Sequence, residues 1–334
     1  MEYEDLVVYH RGGFQPYSQA RIGLLTHALL YGTGCFEGMR AFWNAEHGEL
    51  YVCEPSAHFR RFTANARLLL MELPPVAELN AIVTELCRRN GFREDVYLRP
   101  VAYKSEEALG VRLDGLADDF FIVAVPRVRL NDAGDGLNAC VSSWRRLSDN
   151  AIPPRAKITG GYVNAAFAKT EARLNGFDEA IVLAGDGHVS ECSTANLVMV
   201  RDGVAALPPA TDDNLEGITR LQVRTILADG LGLQVRERQI DRTELYAADE
   251  LLLCGTGMGI AGIRSVDHRP IGSGAVGPVC RALRAVYEDV VRGRDARFAS
   301  EIVPVYAGAV RPMPTINATV PATSAMEAST SAGR

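Results

Sequence analysis

Two blocks of strand-like and helix-like hydrophobic patterns, separated by a polar stretch, most strongly constrain what this 334-residue chain can fold into. In each block, short runs with the two-residue period of a strand occur beside longer runs with the period of an amphipathic helix. The helical runs of the first block follow one another in a pair. This order favours mixed α/β or α+β sheets over one doubly wound parallel sheet. No GxGxxG pattern follows a first strand, so a dinucleotide-binding fold has no support.

The length and the patterns predict two domains rather than one. We expect a small α/β domain over residues 1–126, an interdomain loop over 127–136, a larger domain over 137–301, and an extended or disordered tail over 302–334. The expected strands are 49–53, 96–103, 120–125, 138–144, 179–183, 188–191, 196–200 and 251–253. The expected helices are 55–71, 76–89, 161–175, 218–230 and 276–292.

The composition argues against several classes of protein. A net charge of −6 is unlike the basic surface of a nucleic-acid binder, and no apolar run approaches the roughly 20 residues of a membrane helix. The acidic start of the chain does not resemble a secretory signal. Seven scattered cysteines without a CxxC pair indicate neither a disulfide framework nor a zinc site, which fits a reducing cytoplasm. The six histidines lack metal-binding spacing, so no metal is expected.

Lysine is rare in this chain, which holds only Lys104, Lys157 and Lys169. Any chemistry that needs a neutral amine must therefore use one of these three. Lys157 lies in the constrained segment Pro-Pro-Arg-Ala-Lys-Ile-Thr-Gly-Gly, where loss of solvation would favour the neutral amine and Schiff-base chemistry. Taken alone, the local sequence would favour an ordinary surface lysine. Lys169 is expected on a solvated helix face, and Lys104 in a polar loop.

Three other segments offer groups for a ligand that carries a ring nitrogen and a phosphate. Glu191 ends a predicted strand, where a carboxylate could keep a pyridine nitrogen protonated, although an exposed glutamate is the more common case. The segment 215–220 opens a helix whose free amides and Thr219 hydroxyl would suit a phosphate, or is a plain helix start. The Gly255-Thr256-Gly257 sequence could add amides to the same anion, or simply form a turn.

Taken together, these segments resemble the class IV (fold-type IV) pyridoxal-phosphate enzymes, and among them the branched-chain aminotransferases. The resemblance runs from about residue 22 to about residue 294, through segments in one order: 27–40, 97–100, the Lys157 segment, 187–196, 215–220, 248–250 and 269–272. It implies a two-domain α/β fold with pyridoxal 5'-phosphate as cofactor. It further implies transfer of an amino group between an amino acid, with branched-chain L-amino acids favoured, and a 2-oxo acid such as 2-oxoglutarate. The resemblance also implies at least a homodimer with the active site at the subunit interface.

The resemblance assigns roles to individual residues. Lys157 would form the Schiff base and shuttle a proton, Tyr162 would hydrogen-bond the ring oxygen of the cofactor, and Glu191 would hold its pyridine nitrogen. The other cofactor contacts would come from Arg61, Leu215, Gly217, Ile218, Thr219 and Thr256. The substrate contacts would come from Phe36, Gly38, Arg40, Tyr97, Arg99, Gly257 and Met258, and from Tyr31 of the partner subunit.

Several positions depart from the branched-chain pattern and leave the substrate preference open. Ala195 stands where the family usually has glutamate, and Gly257-Met258-Gly259 stands where it often has Ala-Ala-Glu. The loop 126–129 lacks the usual aromatics, and its arginines could attract an acidic group. The alternatives on this fold are D-amino acid transaminases, (R)-selective amine transaminases and aminodeoxychorismate lyases, but the 267–272 segment favours the branched-chain group. A non-catalytic homologue is disfavoured because Lys157, Tyr162 and Glu191 are all present.

Overall fold

Two β-sheets, one antiparallel and one mixed, organise the computed structural model of the protein, which describes residues 3–126 and 134–307. Helices pack on both sheets, so the predicted mixed α/β architecture is confirmed. No helix within these two ranges combines the length and the apolar character needed to cross a membrane.

The first sheet is formed by the N-terminal part of the chain. It is antiparallel, and its strands lie in the order β5-β4-β6-β7-β1-β2, with β3 paired to β6. These strands are β1 (Val7–His10), β2 (Gly13–Pro16), β3 (Gly34–Phe36), β4 (Met39–Asn44), β5 (Glu49–Cys53), β6 (Val96–Lys104) and β7 (Asp118–Pro126). The helices of this part are α1 (His27–Tyr31), α2 (Pro55–Leu68) and α3 (Val76–Asn90). Helix α2 starts with a proline at its first position, where the missing amide costs nothing.

The second sheet is mixed and follows the predicted interdomain loop. Its order is β10-β9-β8-β15-β14-β11-β12-β13, with β16 on β15, and β8 pairs in parallel with both β9 and β15. The strands are β8 (Leu137–Arg145), β9 (Glu179–Leu183), β10 (Val189–Cys192), β11 (Asn196–Arg201), β12 (Val204–Leu207), β13 (Gln234–Glu237), β14 (Glu250–Gly255), β15 (Gly259–Val266) and β16 (Arg269–Pro270). The helices are α4 (Tyr162–Leu174), α5 (Ile218–Thr225) and α6 (Pro278–Val291), and a π-helical turn at Ile226–Gly230 continues α5.

An apolar cluster joins the two sheets. Phe42 and Cys53 of the first sheet pack in one cluster with Leu283 and Val290 of α6 and with Leu252 of the second sheet. Burial of these side chains holds the two halves of the described chain together. Each half also has a core of its own, so the division into domains at residues 127–136 stays a prediction that the two separate cores support.

The segment that follows residue 301 is not a free tail throughout. Strand β17 (Ile302–Pro304) pairs antiparallel with β5, and the buried Glu49 carboxylate accepts hydrogen bonds from the next three backbone amides. Residues 302–307 of the predicted extended or disordered tail are thus extended and bonded to the first sheet, because an open sheet edge and an acceptor are available there. Residues 308–334 and the loop residues 127–133, including Arg127 and Arg129, lie outside the described residues.

Two lysines are placed differently from the expectation. Lys104 ends β6 and is 1% exposed, and its Nζ donates to the Leu70 carbonyl at 2.7 Å. Lys169 on α4 donates to the buried Glu179 carboxylate at 2.6 Å instead of being fully solvated. Both predictions failed because the acceptors belong to other segments of the fold, and the residues next to each lysine do not indicate them. No bounds were predicted for α1 or for the strands β1, β2, β3, β4, β12, β13, β15 and β16.

Candidate active site

Lys157 and Tyr162 face each other in a cavity of about 320 Å³ between the two sheets. The Lys157 Nζ donates to the Tyr162 hydroxyl oxygen at 2.8 Å. The backbone around Lys157 is anchored to the first sheet, since the Phe36 amide donates to the Lys157 carbonyl at 3.0 Å. Tyr162 is the first residue of α4, so a helix start and a strand end together fix the amine in the cavity.

Glu191 lies in the wall of the same cavity, near the end of β10, and is 4% exposed. Its carboxylate pairs with the Arg146 guanidinium at 2.8 Å and accepts from the Asn196 side-chain amide at 3.1 Å. It also accepts from the Leu215 amide at 3.3 Å. Burial raises the pKa of Glu191, and the positive charge of Arg146 opposes that rise. Glu191 is therefore a buried, oriented acid and not an exposed strand end.

An anion site is built where α5 begins. Gly217 precedes the helix and has no side chain that could bond the free amides of the first turn. The Thr219 and Thr256 hydroxyls lie 3.2 Å apart, which brings the two predicted anion segments together. Ile218, Thr219, Thr256 and Arg61 all line the cavity. Free amides, hydroxyls and a guanidinium in one place suit a phosphate.

The remaining wall carries an arginine among aromatic rings. Arg99 lies with its guanidinium carbon 4.4 Å from the centre of the Phe36 ring, and donates to the Tyr97 hydroxyl at 2.6 Å. A Cβ at Gly38 would lie 2.4 Å from that same hydroxyl, so glycine leaves room for the tyrosine. The predicted substrate residues that line this cavity are Phe36, Gly38, Tyr97, Arg99, Gly257 and Met258.

Two predicted substrate residues lie elsewhere. The Arg40 guanidinium stacks on Phe42 at 4.5 Å and lies 3.9 Å from the Asp95 carboxylate, contacts that draw it along β4 away from the cavity. The placement of Arg40 in the pocket is therefore not supported. Tyr31 does not line the cavity of its own chain; it is 39% exposed, and its hydroxyl accepts from the Gly110 amide.

Several cavity residues escaped the sequence argument. Arg146 follows β8 and shows no local signal, because it is one arginine of an Arg-Arg pair at a strand end. Asn196 lay next to the Glu191 segment, and its bridge between Glu191 and the Leu215 carbonyl appears only in three dimensions. The cavity is also lined by Lys169, Ser193, Thr194, Ala195, Cys254 and Gly255.

Comparison with known proteins adds the family to this geometry. The family model of amino-transferase class IV matches residues 34–266, a range that includes all residues lining the cavity and most strands of both sheets. The chain belongs to this family. A curated relative of this class IV aminotransferase, the probable branched-chain-amino-acid aminotransferase of Aquifex aeolicus, is 42% identical over 299 residues, 89% of this chain and 96% of the relative. The branched-chain-amino-acid aminotransferase of Escherichia coli K12 is 33% identical over 293 residues, 86% of this chain and 93% of the relative.

Solved structures of branched-chain aminotransferases share the fold of this class IV aminotransferase. The holo form of the Thermobaculum terrenum enzyme has a TM-score of 0.86 at 36% identity and covers 91% of this chain and 99% of its own. The Thermoproteus uzoniensis enzyme with norvaline has a TM-score of 0.85 at 38% identity and covers 90% and 99%. The T.th. enzyme complexed with N-(5'-phosphopyridoxyl)-L-glutamate has a TM-score of 0.84 at 37% identity and covers 91% and 100%.

Pyridoxal 5'-phosphate is the cofactor of this family, and the cavity of this class IV aminotransferase suits it. The cavity combines an amine, a buried carboxylate on another wall, and an anion site at a helix start, the three groups that an aldehyde, a ring nitrogen and a phosphate require. The residues present therefore fit the cofactor, which when bound supplies an electron sink for the carbanion formed at the substrate Cα.

Proposed function

We propose that this class IV aminotransferase moves an amino group between a branched-chain L-amino acid and a 2-oxo acid such as 2-oxoglutarate, with Lys157 as the lysine that holds the cofactor. The observation that carries the proposal is the hydrogen bond of 2.8 Å between the Lys157 amine and the Tyr162 hydroxyl, in one cavity with Glu191 and the start of α5. An amine that is held by a phenol inside a cavity is suited to bind a carbonyl carbon and then to carry a proton.

The protein groups have separate tasks in this proposal. Lys157 moves the proton at the substrate Cα, and Tyr162 orients the amine. Glu191, held by Arg146, keeps a proton on the ring nitrogen, since an ionised acid next to that nitrogen favours its protonated form. Arg61, Leu215, Gly217, Ile218, Thr219 and Thr256 hold and orient the cofactor. Because the transfer is close to neutral in energy, the contribution of these residues is orientation and proton control.

The substrate wall explains how one pocket could accept both an apolar and an acidic side chain. Phe36 and Met258 offer apolar surface, while the Arg99 guanidinium offers a charge partner for the carboxylate of glutamate or 2-oxoglutarate. The solved T.th. relative has been crystallised with 4-methylvaleric acid and with a phosphopyridoxyl-L-glutamate. We propose the same dual use of the pocket here.

We also propose that the protein works in the cytoplasm as a homodimer or a larger homo-oligomer. All seven cysteines are unpaired, as is usual in a reducing compartment. One end of the first sheet carries an exposed apolar surface that we call the leucine patch: Leu24, Leu25, Leu29, Leu109 and Val111. Apolar patches of this kind commonly mark subunit contacts. Tyr31 lies beside the patch, and we propose that it reaches the cavity of the partner subunit.

The absorbance spectrum of purified protein tests the function. We expect a visible band from lysine-bound cofactor that is absent in Lys157→Ala and retained in Lys169→Ala, the matched variant of the other cavity lysine. Addition of L-leucine or L-glutamate without an acceptor should bleach this band to the pyridoxamine form. Bleaching by D-alanine alone would move the enzyme to the D-specific class. A band that no amino acid bleaches would favour a lyase, and a protein that binds no cofactor would refute the proposal.

A further inference from the structure

A buried carboxylate lies directly behind the arginine of the anion site. Glu37, in the turn between β3 and β4, is 0% exposed. Its two oxygens accept from Nε and Nη2 of Arg61 at 2.7 and 2.8 Å, a bidentate arrangement. One turn earlier on α2, the His58 Nδ1 lies 2.8 Å from the same carboxylate. Bidentate pairing fixes both the position and the plane of a guanidinium, which a single hydrogen bond does not.

The hydrogen bonds of Arg61 leave a defined part of the guanidinium for a ligand. Nη1 donates to the Glu216 carbonyl at 2.8 Å, immediately before α5. A guanidinium has five N–H donors, and these bonds among the described residues use three of them. One donor on Nη1 and one on Nη2 therefore remain for the cavity that Arg61 lines. The Glu37 contact thus selects which edge of the guanidinium a phosphate can meet.

Glu37 has two opposing effects on the binding of an anion: it orients the Arg61 guanidinium, and its charge weakens the attraction of that guanidinium for the anion. Burial alone would raise the pKa of Glu37, but the Arg61 charge and the hydrogen bonds from Arg61 and His58 lower it overall, so the carboxylate is ionised. Burial lowers the pKa of His58, which leaves a neutral ring that donates from Nδ1. The negative charge of Glu37 offsets that of Arg61 and disfavours a bound anion. Glu37 therefore helps phosphate binding only if orientation outweighs this repulsion.

We propose that Glu37, supported by His58, is a positioning residue that orients the Arg61 guanidinium for the phosphate of the cofactor. This inference rests on the proposed function, because it takes the cavity to hold pyridoxal 5'-phosphate. Glu37 itself does not line the cavity and acts through Arg61. Its role is to raise the contribution of the phosphate to binding, at the expense of some electrostatic attraction.

The test compares two ligands that differ only in the phosphate. The full-length protein, stripped of cofactor, is titrated with pyridoxal 5'-phosphate and with pyridoxal. The ratio of the Kd of pyridoxal to the Kd of pyridoxal 5'-phosphate measures the contribution of the phosphate to binding. We expect Glu37→Gln to reduce this ratio at least about tenfold, the effect usual for an outer partner that fixes a binding side chain. Glu37→Asp, which keeps the charge but is one methylene shorter, should reduce the ratio as well. The Kd of pyridoxal should change little in either variant.

Three controls separate a positioning role from a structural one. Glu49→Gln, at a buried carboxylate of the same sheet away from the cavity, should lower the unfolding temperature without changing the ratio. Arg61→Gln should reduce the ratio, and Glu37→Gln added to Arg61→Gln should reduce it no further. If Glu37→Gln does not fold, Glu37→Asp carries the same test.

The outcomes distinguish this inference from the function on which it rests. A wild-type protein that binds pyridoxal as tightly as pyridoxal 5'-phosphate would refute the proposed cofactor site itself. The positioning role alone would be refuted if the wild-type ratio is large and Arg61→Gln abolishes it, while Glu37→Gln and Glu37→Asp leave it unchanged. A ratio that rises in Glu37→Gln would show that repulsion outweighs orientation, and would also refute it.

Discussion

At the scale of single residues, Arg146 controls the charge of Glu191. Burial raises the pKa of Glu191, whereas the guanidinium 2.8 Å away lowers it. Arg146→Met should therefore raise that pKa further, so that the ionised carboxylate forms only at higher pH. We expect the acidic limb of the kcat–pH profile to move to higher pH. Arg145→Met, at the exposed neighbouring arginine, is the matched control and should leave the profile in place. An unchanged profile in Arg146→Met would show that Arg146 does not affect the charge of Glu191.

The sequence located those site residues whose chemistry is rare in this chain. With three lysines to choose from, Lys157 could be singled out, and the cavity indeed contains it beside Tyr162. Arg146 and Glu37 could not be found in this way, because arginine and glutamate are common and only the folded contacts distinguish them. The role of Arg40 stays a prediction, since a motif position said nothing about the Phe42 ring and the Asp95 carboxylate that its side chain contacts outside the cavity.

At the scale of elements, the turn into α5 depends on the absence of a side chain at Gly217. A Cβ there would lie 2.0 Å from the Asn196 side-chain oxygen, and Asn196 holds both Glu191 and the Leu215 carbonyl. We expect Gly217→Ala to destabilise the protein by about 1–3 kcal/mol and to weaken cofactor binding, as measured by thermal unfolding and by titration. Gly185→Ala, where a Cβ meets nothing within 4 Å, should change neither quantity. An unaffected Gly217→Ala would contradict the tight packing at this turn.

The start of α2, the helix that carries Arg61, should make stability depend on pH. Burial and the nearby Glu301 raise the pKa of Glu54 to about 7. The folded protein therefore binds this proton more tightly than the unfolded chain. The associated stability is complete below the usual carboxyl pKa and is lost as the pH rises through about 7. We expect the unfolding temperature of Glu54→Gln, relative to the wild type, to increase between pH 5 and pH 8.

This prediction is checked on cofactor-free protein by calorimetry at both pH values. Glu46→Gln, at an exposed glutamate in the turn between β4 and β5, should keep a constant difference from the wild type. If the unfolding temperature of Glu54→Gln also differed from that of the wild type by the same amount at both pH values, burial and Glu301 would not raise the pKa of Glu54.

The long helices could be predicted, whereas several strands, among them β1, β2, β15 and β17, could not. Helices α2 and α3 have 14 and 15 residues, enough for several turns of a helical hydrophobic period. Strands β1 and β2 have four residues each, and β17 has three, too few for a period to be recognised. Strand β17 also depends on partners about 250 residues earlier, which no local pattern contains.

At the scale of the whole molecule, the mixed α/β class followed from the order of patterns, because paired helices between strands do not suit one parallel sheet. The position of the cavity between the sheets did not follow, since it depends on how Phe42 and Cys53 pack with α6. The resemblance assigned Tyr31 to the site of a partner subunit, and Tyr31 does not line the cavity of its own chain. The last point bears on assembly, because a residue that serves the site only from another copy makes the single chain incomplete.

Assembly through the leucine patch is the prediction that links shape to activity. Leu24, Leu109 and Val111 are 84%, 76% and 80% exposed in one chain. The two segments of the patch are held together by the hydrogen bond between the His27 ring and the Gly110 carbonyl, at 2.7 Å. Light scattering of the wild type should therefore give at least twice the chain mass of 36.2 kDa.

Two substitutions within the patch test whether this assembly is required for activity. Leu29→Asp combined with Leu109→Asp should give a single chain, because charges would be buried without partners in the interface. That variant should retain its fold by circular dichroism and lose most transaminase activity, since Tyr31 would no longer reach a neighbouring site. Leu174→Asp, at an equally exposed leucine on α4, should change neither mass nor activity. A wild-type protein that is monomeric and active would contradict both the interface and the role of Tyr31.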